Sequence, residues 1–461
     1  MIPTMFDIAH ITITFTSPLI VATGTSTDVT DAVCMYDPNG IPTIPGTSIT
    51  GALRHAFAES HEKLETTIFG STDGEGSRSL VTVSWAHAHN VADKPVSHVA
   101  GSTNPDSVTQ FLQNGVLRDH VRIDENTGAA AHTGKFEETL VPRGARFTFA
   151  LMLDRKEQTD ITIDTLIELL QQPNFFLGGK SRCGFGAFEV TKVQKQFFNL
   201  NNIEDLKRFS TYSFDVSVPY AFESVTTPTI SKQDRASYKL EIRAKDFLLP
   251  GGGIGIDAVF DAKQNEVLEE QLQHTDIFPV YESAIVWKSG RGSVEKPRFY
   301  LPATSIKGTL RHRTTFYTRV LCQEWVGTQD TVATMLMNNF FGTEKEHSTP
   351  GVVYFSEPIF STETSFRVMQ HVALDRFTQG PLQSALFGEV LLELANKVFF
   401  IDVVVDWKKL QKRLKEDQIL IIKKAFTLAL TDLVKGRLSL GAAGSRGHGL
   451  VVGKLHEFDG E

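Results

Sequence analysis

Cysteine is scarce in this chain. Its 461 residues include three, Cys34, Cys183 and Cys322, and none forms a CxxC pair. That excludes a disulfide framework and a cysteine-built zinc site. No His–Asp set stands near Cys34 or Cys183 to make a thiol nucleophile. Long apolar runs are missing as well, which excludes a membrane-crossing helix. The opening residues, Met1 to Asp7, lack the charged and apolar blocks of a signal peptide, so a cytoplasmic protein is expected. Positive charge is in deficit: 46 Lys and Arg stand against 54 Asp and Glu, a formal net charge of −8. As an average this argues against nucleic-acid binding, which usually leaves a basic footprint, although local patches survive averaging.

A further absence removes a tempting motif. The run Phe175 to Gly186 contains Gly179-Lys180-Ser181 and looks like the end of a phosphate-binding loop. Such a loop needs a glycine five places before Gly179, where this chain has Asn174. It must also open a helix, yet Ala187 to Val193 alternates apolar and polar and reads as a strand. A nucleotide triphosphate site is therefore not expected.

What remains is ordinary globular composition, 41% hydrophobic and 22% charged, at a length that predicts two or more domains. The chain repeats itself. Ile44 to His55, IPGTSITGALRH, returns as Leu301 to His312, LPATSIKGTLRH. Phe69-Gly70 returns as Phe341-Gly342. The strand-like Leu80–Val83 returns as Val352–Phe355. His120 to Asp124 returns as His371 to Asp375, after which Thr127, Phe136 and Glu138 match Thr378, Phe387 and Glu389 without a gap. The glycine run itself returns as Leu440 to Gly449. Five landmarks in one order mean a tandem duplication. The reading is a first domain at 1–200, a polar linker at 201–236 and a second domain at 237–461. Each half opens on an alternating strand (Ile8–Phe15, Tyr238–Ala244). Each has a second helix later (Ile161–Leu170, Ile419–Leu433) and closes on a strand. Strands flanking two helices predict an α+β unit of ferredoxin-like type. Residues 86–118 and 257–298 have no counterpart in the other half.

Thr47-Ser48 and Thr304-Ser305 read as helix N-caps. Capping alone accounts for Ser48 and Ser305, but Arg54-His55 and Arg311-His312 follow on the helices, with Lys307 in the second copy. Helix starts attract phosphates. The glycine runs offer backbone N–H groups, with Lys180 and Arg182 in one copy and Arg446 and His448 in the other. A tight turn is the simpler reading, yet a plain turn needs one glycine. Together these features predict a repeated anion-binding surface inside an acidic protein. His55 and His312 are expected in a core or backbone-capping role, with a general base as the alternative.

These motifs, with RIDENTGAA and KFEE in the first half and ALDRFTQG and GAAGSRGHG in the second, resemble the RAMP superfamily of CRISPR-associated proteins. Within it the chain looks like a two-unit form of the Cas-seven-type backbone subunit of type III effector complexes. The resemblance covers nearly the whole chain. It implies an RRM-like palm in each half, with a β-hairpin thumb near 122–128 and 373–380 that wedges between guide and target. Phe136 and Phe387 would support that hairpin or fill the palm core. It implies a CRISPR guide RNA lying along Thr47, Ser48, Thr50, Arg54, His55, Gly178, Gly179, Lys180, Ser181 and Arg182. In the second half the matching set is Ser305, Lys307, Arg311, His312, Gly444, Ser445, Arg446 and His448.

In cleaving members an Asp between the first loop and the first helix is required for cutting target RNA. Asp31 takes that slot in the first half. Asp276, in Asp-Ile-Phe-Pro-Val, takes it in the second, with Asp28 and Asp257 as fallbacks. The implied chemistry is metal-dependent endonuclease cleavage of target RNA, with Mg²⁺ at Asp31 and Asp276 and other subunits of the complex as partners. Sequence recognition would be left to base pairing, so a basic stripe suffices. A non-catalytic guide-binding subunit and a guide-processing endonuclease are the alternatives.

Overall fold

In a computed structural model the chain is described except for residues 1–4, 23–33, 72–75, 98–104, 125–129, 156–159, 227–236, 254–271, 273–274, 326–330, 344–348, 362–363, 396 and 459–461. The first unit runs β1 (Met5–Phe15), α1 (Gly46–His61), β2 (Val81–Val83), β3 (Val116–Ile123), β4 (Ala130–Leu140), β5 (Arg146–Asp154), α2 (Ile163–Leu170) and β6 (Phe188–Asn199). The sheet order is β2-β5-β1-β6, every neighbour antiparallel. With β3 and β4 set aside, this is the βαββαβ ferredoxin-like topology. The α+β expectation holds.

After α3 (Ile203–Thr211), β7 (Ser224–Thr226) adds to the free edge of β6. Residues 201–226, read from sequence as linker, thus carry a helix and a strand of the first sheet. Their aromatics cover its outer face: Tyr212 donates or accepts a 2.9 Å bond with the buried His10, and Phe198 packs on Phe209.

The second unit repeats the plan with β8 (Tyr238–Ala244), α4 (Ala303–Leu321), β9 (Val353–Phe355), β10 (Phe366–Leu374), β11 (Pro381–Glu393), β12 (Phe399–Val405), α5 (Glu416–Val434) and β13 (Leu450–Glu457). Its sheet order is β9-β12-β8-β13, the same arrangement. Each unit has its own core. One gathers Ile11, Ile13, Phe15, Leu53, Phe57 and Phe149; the other Leu240, Ile242, Leu310, Phe340, Ile401 and Phe426. The α1 helix buries Ile49, Leu53 and Phe57, spaced by one turn, as an amphipathic helix on a sheet must.

Two antiparallel hairpins leave the sheets where a ferredoxin-like unit has only a loop. One is β3–β4, pairing His120 with Phe136; the other is β10–β11, pairing His371 with Phe387. The units also interlock. A hairpin of Ile285–Lys288 and Arg291–Val294 lies in the second half by sequence, yet Ile285 belongs to the first core. Trp287 Nε1 donates to the Gly144 carbonyl at 2.8 Å, and the Arg146 guanidinium sits 4.4 Å over the Trp287 ring.

Candidate nucleic-acid interface

The helix starts differ from the expected Thr-Ser caps. Pro45 and Pro302 are the N-cap residues, and neither helix has a side-chain cap. A proline holds φ near −58°, ready for a helix, so the helices begin at Gly46 and Ala303, ahead of the expected caps, and take the Thr-Ser pair into the first turn. There Thr50 Oγ1 donates back to the Gly46 carbonyl at 2.8 Å. Ser305 Oγ accepts from the Gly441 N–H at 3.3 Å, which ties the start of α4 to the second glycine loop. A carboxylate already faces the start of α4: Glu357 Oε1 accepts from the Ala303 N–H at 3.4 Å.

The glycine loops share one backbone path. Each holds a single 3₁₀ turn, Ser181–Cys183 or Gly444–Arg446, and leads into a strand, so no phosphate-loop helix follows. Lys180 and Ala443 both take left-handed φ, 53° and 59°, and Gly184 and Gly447 follow at 90° and 91°. Conformation therefore aligns Lys180 with Ala443, Cys183 with Arg446 and Phe185 with His448. Gly186 and Gly449 close the loops, each at positive φ. A Cβ there would sit 1.9 Å from the Leu177 carbonyl oxygen or 2.1 Å from that of Leu440. Turn geometry thus accounts for several glycines that the sequence reading assigned to ligand approach.

The loop cations meet carboxylates at the hairpin bases. In the first unit Lys180 pairs with Glu138, which is 1% exposed, and sits 4.4 Å over the Phe136 ring. His120 stacks on Phe136 at 4.9 Å, with Nε2 3.4 Å from Glu138 Oε2. Burial pushes the Glu138 carboxyl up, but His120 and Lys180 beside it outweigh that and hold it below its usual range. In the second unit Arg446 Nη2 donates to Glu389 Oε2 at 2.5 Å, and its guanidinium lies 5.4 Å from the centre of the Phe387 ring. His371 stacks on Phe387 at 5.1 Å. Phe136 and Phe387 are half-buried at the hairpin bases and lie outside the palm cores.

Arg54 pairs with Glu65, and Arg311 Nη1 donates to the Gly342 carbonyl at 3.0 Å. Arg182 donates to the Gly351 carbonyl at 3.2 Å and lies 5.3 Å over Tyr354, both in the second unit. His55 and His312 are exposed, not in the core. His55 Nε2 lies 2.7 Å from Lys409 Nζ; partial burial first, then the Lys409 charge, lowers its pKa. Thr47 is exposed, Ser48 and Lys307 are half-buried, and Ser181 is buried. Asp276 is exposed and fixed to the second hairpin: its N–H donates to the Gly388 carbonyl at 2.9 Å, and its Oδ2 accepts from the Gly388 N–H at 2.9 Å. Asp31, Asp28 and Asp257 lie outside the described residues.

A family model described as the RAMP superfamily matches residues 12–189 and 288–452, one match to each unit. The chain belongs to the RAMP superfamily. Among solved structures, a chain titled as type III-B Cmr-beta in the apo state is 15% identical. The alignment covers 40% of this protein and 96% of that chain, at a TM-score of 0.32. Another, titled as type III-B Cmr-beta bound to cognate target RNA, is 17% identical over 41% and 60%, at 0.30. No curated protein matches. No described helix of this RAMP protein is long and apolar enough to cross a membrane.

Sequence reasoning missed Glu138 and Glu389 as partners of the loop cations. The signal was present, because both residues recur at matching places behind a recurring His and Phe.

Proposed function

We propose that this RAMP protein is a guide RNA-binding backbone subunit of a type III CRISPR effector complex. In this reading its two units hold successive stretches of the guide and present paired target RNA for cutting. The carrying observation is that one chain of this family twice builds the same assembly of palm, projecting hairpin and glycine loop, with the hairpin base ion-paired to the loop. An extended, regularly repeating ligand suits two such units. Protein contacts would fall on the guide backbone, at the exposed flanks of α1 and α4 and beside the loops, while base pairing supplies sequence choice.

Asp31 and Asp276 are the proposed cutting residues. Asp276 offers an exposed carboxylate whose direction is set by the hairpin. One exposed carboxylate, with water and phosphate oxygens for the remaining places, fits Mg²⁺, which keeps most of its water. When bound, the ion would supply charge stabilisation at the reacting phosphate. The Asp276 carboxylate would take the proton of a target 2′-hydroxyl. The 2′-oxygen would then bond to its own 3′-phosphorus as the bond to the next 5′-oxygen breaks, that oxygen taking a proton from water. This leaves a cyclic phosphate and a 5′-hydroxyl end. The hairpin would hold the 2′-oxygen in line for that attack. The Asp276–Gly388 bond also suits a second reading, in which Asp276 serves only to brace the hairpin.

Guide contact is tested by ultraviolet crosslinking of the assembled, guide-loaded complex. Crosslinked peptides should include both glycine loops and the α1 flank. Crosslinks confined to one unit, or none, would overturn the two-unit reading.

A further inference from the structure

In the second unit His371 from β10, Glu389 from β11 and His448 from the glycine loop converge, their ligand atoms within 4.8 Å of one another. Both imidazole Nε2 atoms address one oxygen: Glu389 Oε1 is 2.9 Å from His371 and 3.1 Å from His448. The other carboxylate oxygen is held by Arg446 at 2.5 Å, which fixes the orientation of the group. Glu389 is fully buried, and the His448 side chain is 10% exposed.

From this we infer a divalent metal site, for a cation of the zinc class, that staples the second hairpin to its glycine loop. Two imidazoles and a carboxylate suit Zn²⁺ or Co²⁺ rather than Mg²⁺ or Ca²⁺. Zinc–ligand bonds near 2.1 Å in a tetrahedron place donor atoms about 3.4 Å apart. The two His–Glu edges, 2.9 and 3.1 Å, need a few tenths of an ångström of expansion, and the two His nitrogens lie within 4.8 Å of each other. With each imidazole proton carried on Nδ1 instead of Nε2, both Nε2 lone pairs would serve as ligands, and a water would complete the fourth place. The protein carries its own control. The first unit repeats the His and Glu as His120 and Glu138, but Phe185 stands where His448 does. Two ligands remain there, one fewer than the second unit offers.

The site does not rest on the proposed function. The full-length protein, stripped with chelator, is titrated with Zn²⁺ by calorimetry and with Co²⁺ by absorption. Wild type should bind one equivalent that His448→Phe and His371→Ala both abolish and His120→Ala retains. Affinity loss should exceed the 10–100-fold that loss of a ligand's supporting partner costs. The Co²⁺ spectrum should lack a thiolate band, which separates this site from Cys34, Cys183 and Cys322. Zn²⁺ should also raise the wild-type Tm and leave that of His448→Phe unchanged. His448→Phe installs the residue the first unit uses at this place; should it misfold, the part-exposed His371→Ala decides alone. No bound equivalent, or one unaffected by these substitutions, would overturn the site.

Discussion

Arg118 of the first hairpin and Glu357 of the second unit form a two-pronged ion pair, Nη1 to Oε1 and Nη2 to Oε2, each at 2.8 Å. Both are buried. Glu282 accepts from the same guanidinium at 2.6 Å, Arg143 reaches Glu357 at 2.9 Å, and Tyr300 lies 4.3 Å beneath Arg118. Burial pushes the Glu357 carboxyl up, but Arg118 outweighs that and holds it below its usual range. The pair fixes the first hairpin to the second unit, so the spacing between repeats is set by chemistry within one chain.

Arg118→Met should therefore destabilise strongly, because two buried carboxylates lose their main partner. Removing one member of a buried pair costs about 3–5 kcal/mol. Denaturant melts followed in both units should show it. A loss below about 1 kcal/mol would mean the network is solvated.

The glycine loops separate turn geometry from ligand approach. Gly449→Ala meets both a positive φ and the Leu440 carbonyl, whereas Gly447→Ala meets only the φ of 91° with no atom within 4 Å. Gly447→Ala should cost about 1–2 kcal/mol and Gly449→Ala clearly more. Chemical denaturation checks the order, and equal costs would contradict it. In the guide-binding reading, Gly447→Ala should weaken RNA retention beyond its small effect on folding.

The His10 imidazole is pushed down to about 4, by burial first and the Lys192 charge second. Its ordinary value is about 6.5. A lowered pKa means the unfolded chain takes the proton more readily. The stability this group contributes is thus present above pH ~6.5 and lost as pH falls toward 4. NMR of labelled histidine should show His10 neutral until about pH 4. Titration near 6.5 would contradict the packing of residues 201–226 on the outer sheet face.

Lys180→Met should loosen the β3–β4 hairpin, by about 1 kcal/mol given the part-exposed lysine. Arg446→Met should loosen β10–β11 less, because His371 and His448 still serve Glu389. Hydrogen exchange of each hairpin measures both effects. A larger effect from Arg446→Met would reverse the assignment.

Much of this was legible in sequence because a duplication reads its landmarks twice. The two helices per unit and the alternating first and last strands follow from periodicity and repetition, whereas the hairpins were implied by the family resemblance. Helix starts were misplaced because Pro45 and Pro302 outrank the Thr-Ser pairs as start signals. Conformation aligns Lys180 with Ala443 and Arg446 with Cys183, so the loop cations do not stand at matching positions. Each unit supplies its carboxylate with a cation from a different loop position, which no spacing reveals. The Arg118–Glu357 pair spans 239 positions, and nothing local in either segment announces it.

The most direct test of the two cutting residues is target-RNA cleavage by the assembled, guide-loaded complex with Mg²⁺, comparing wild type with Asp31→Ala and Asp276→Ala. A cutting role for both residues predicts that each substitution removes one cleavage product at unchanged target affinity. Loss from Asp276→Ala alone would leave the first unit a scaffold. Unchanged products from both would contradict the cutting role and leave the chain a structural guide holder.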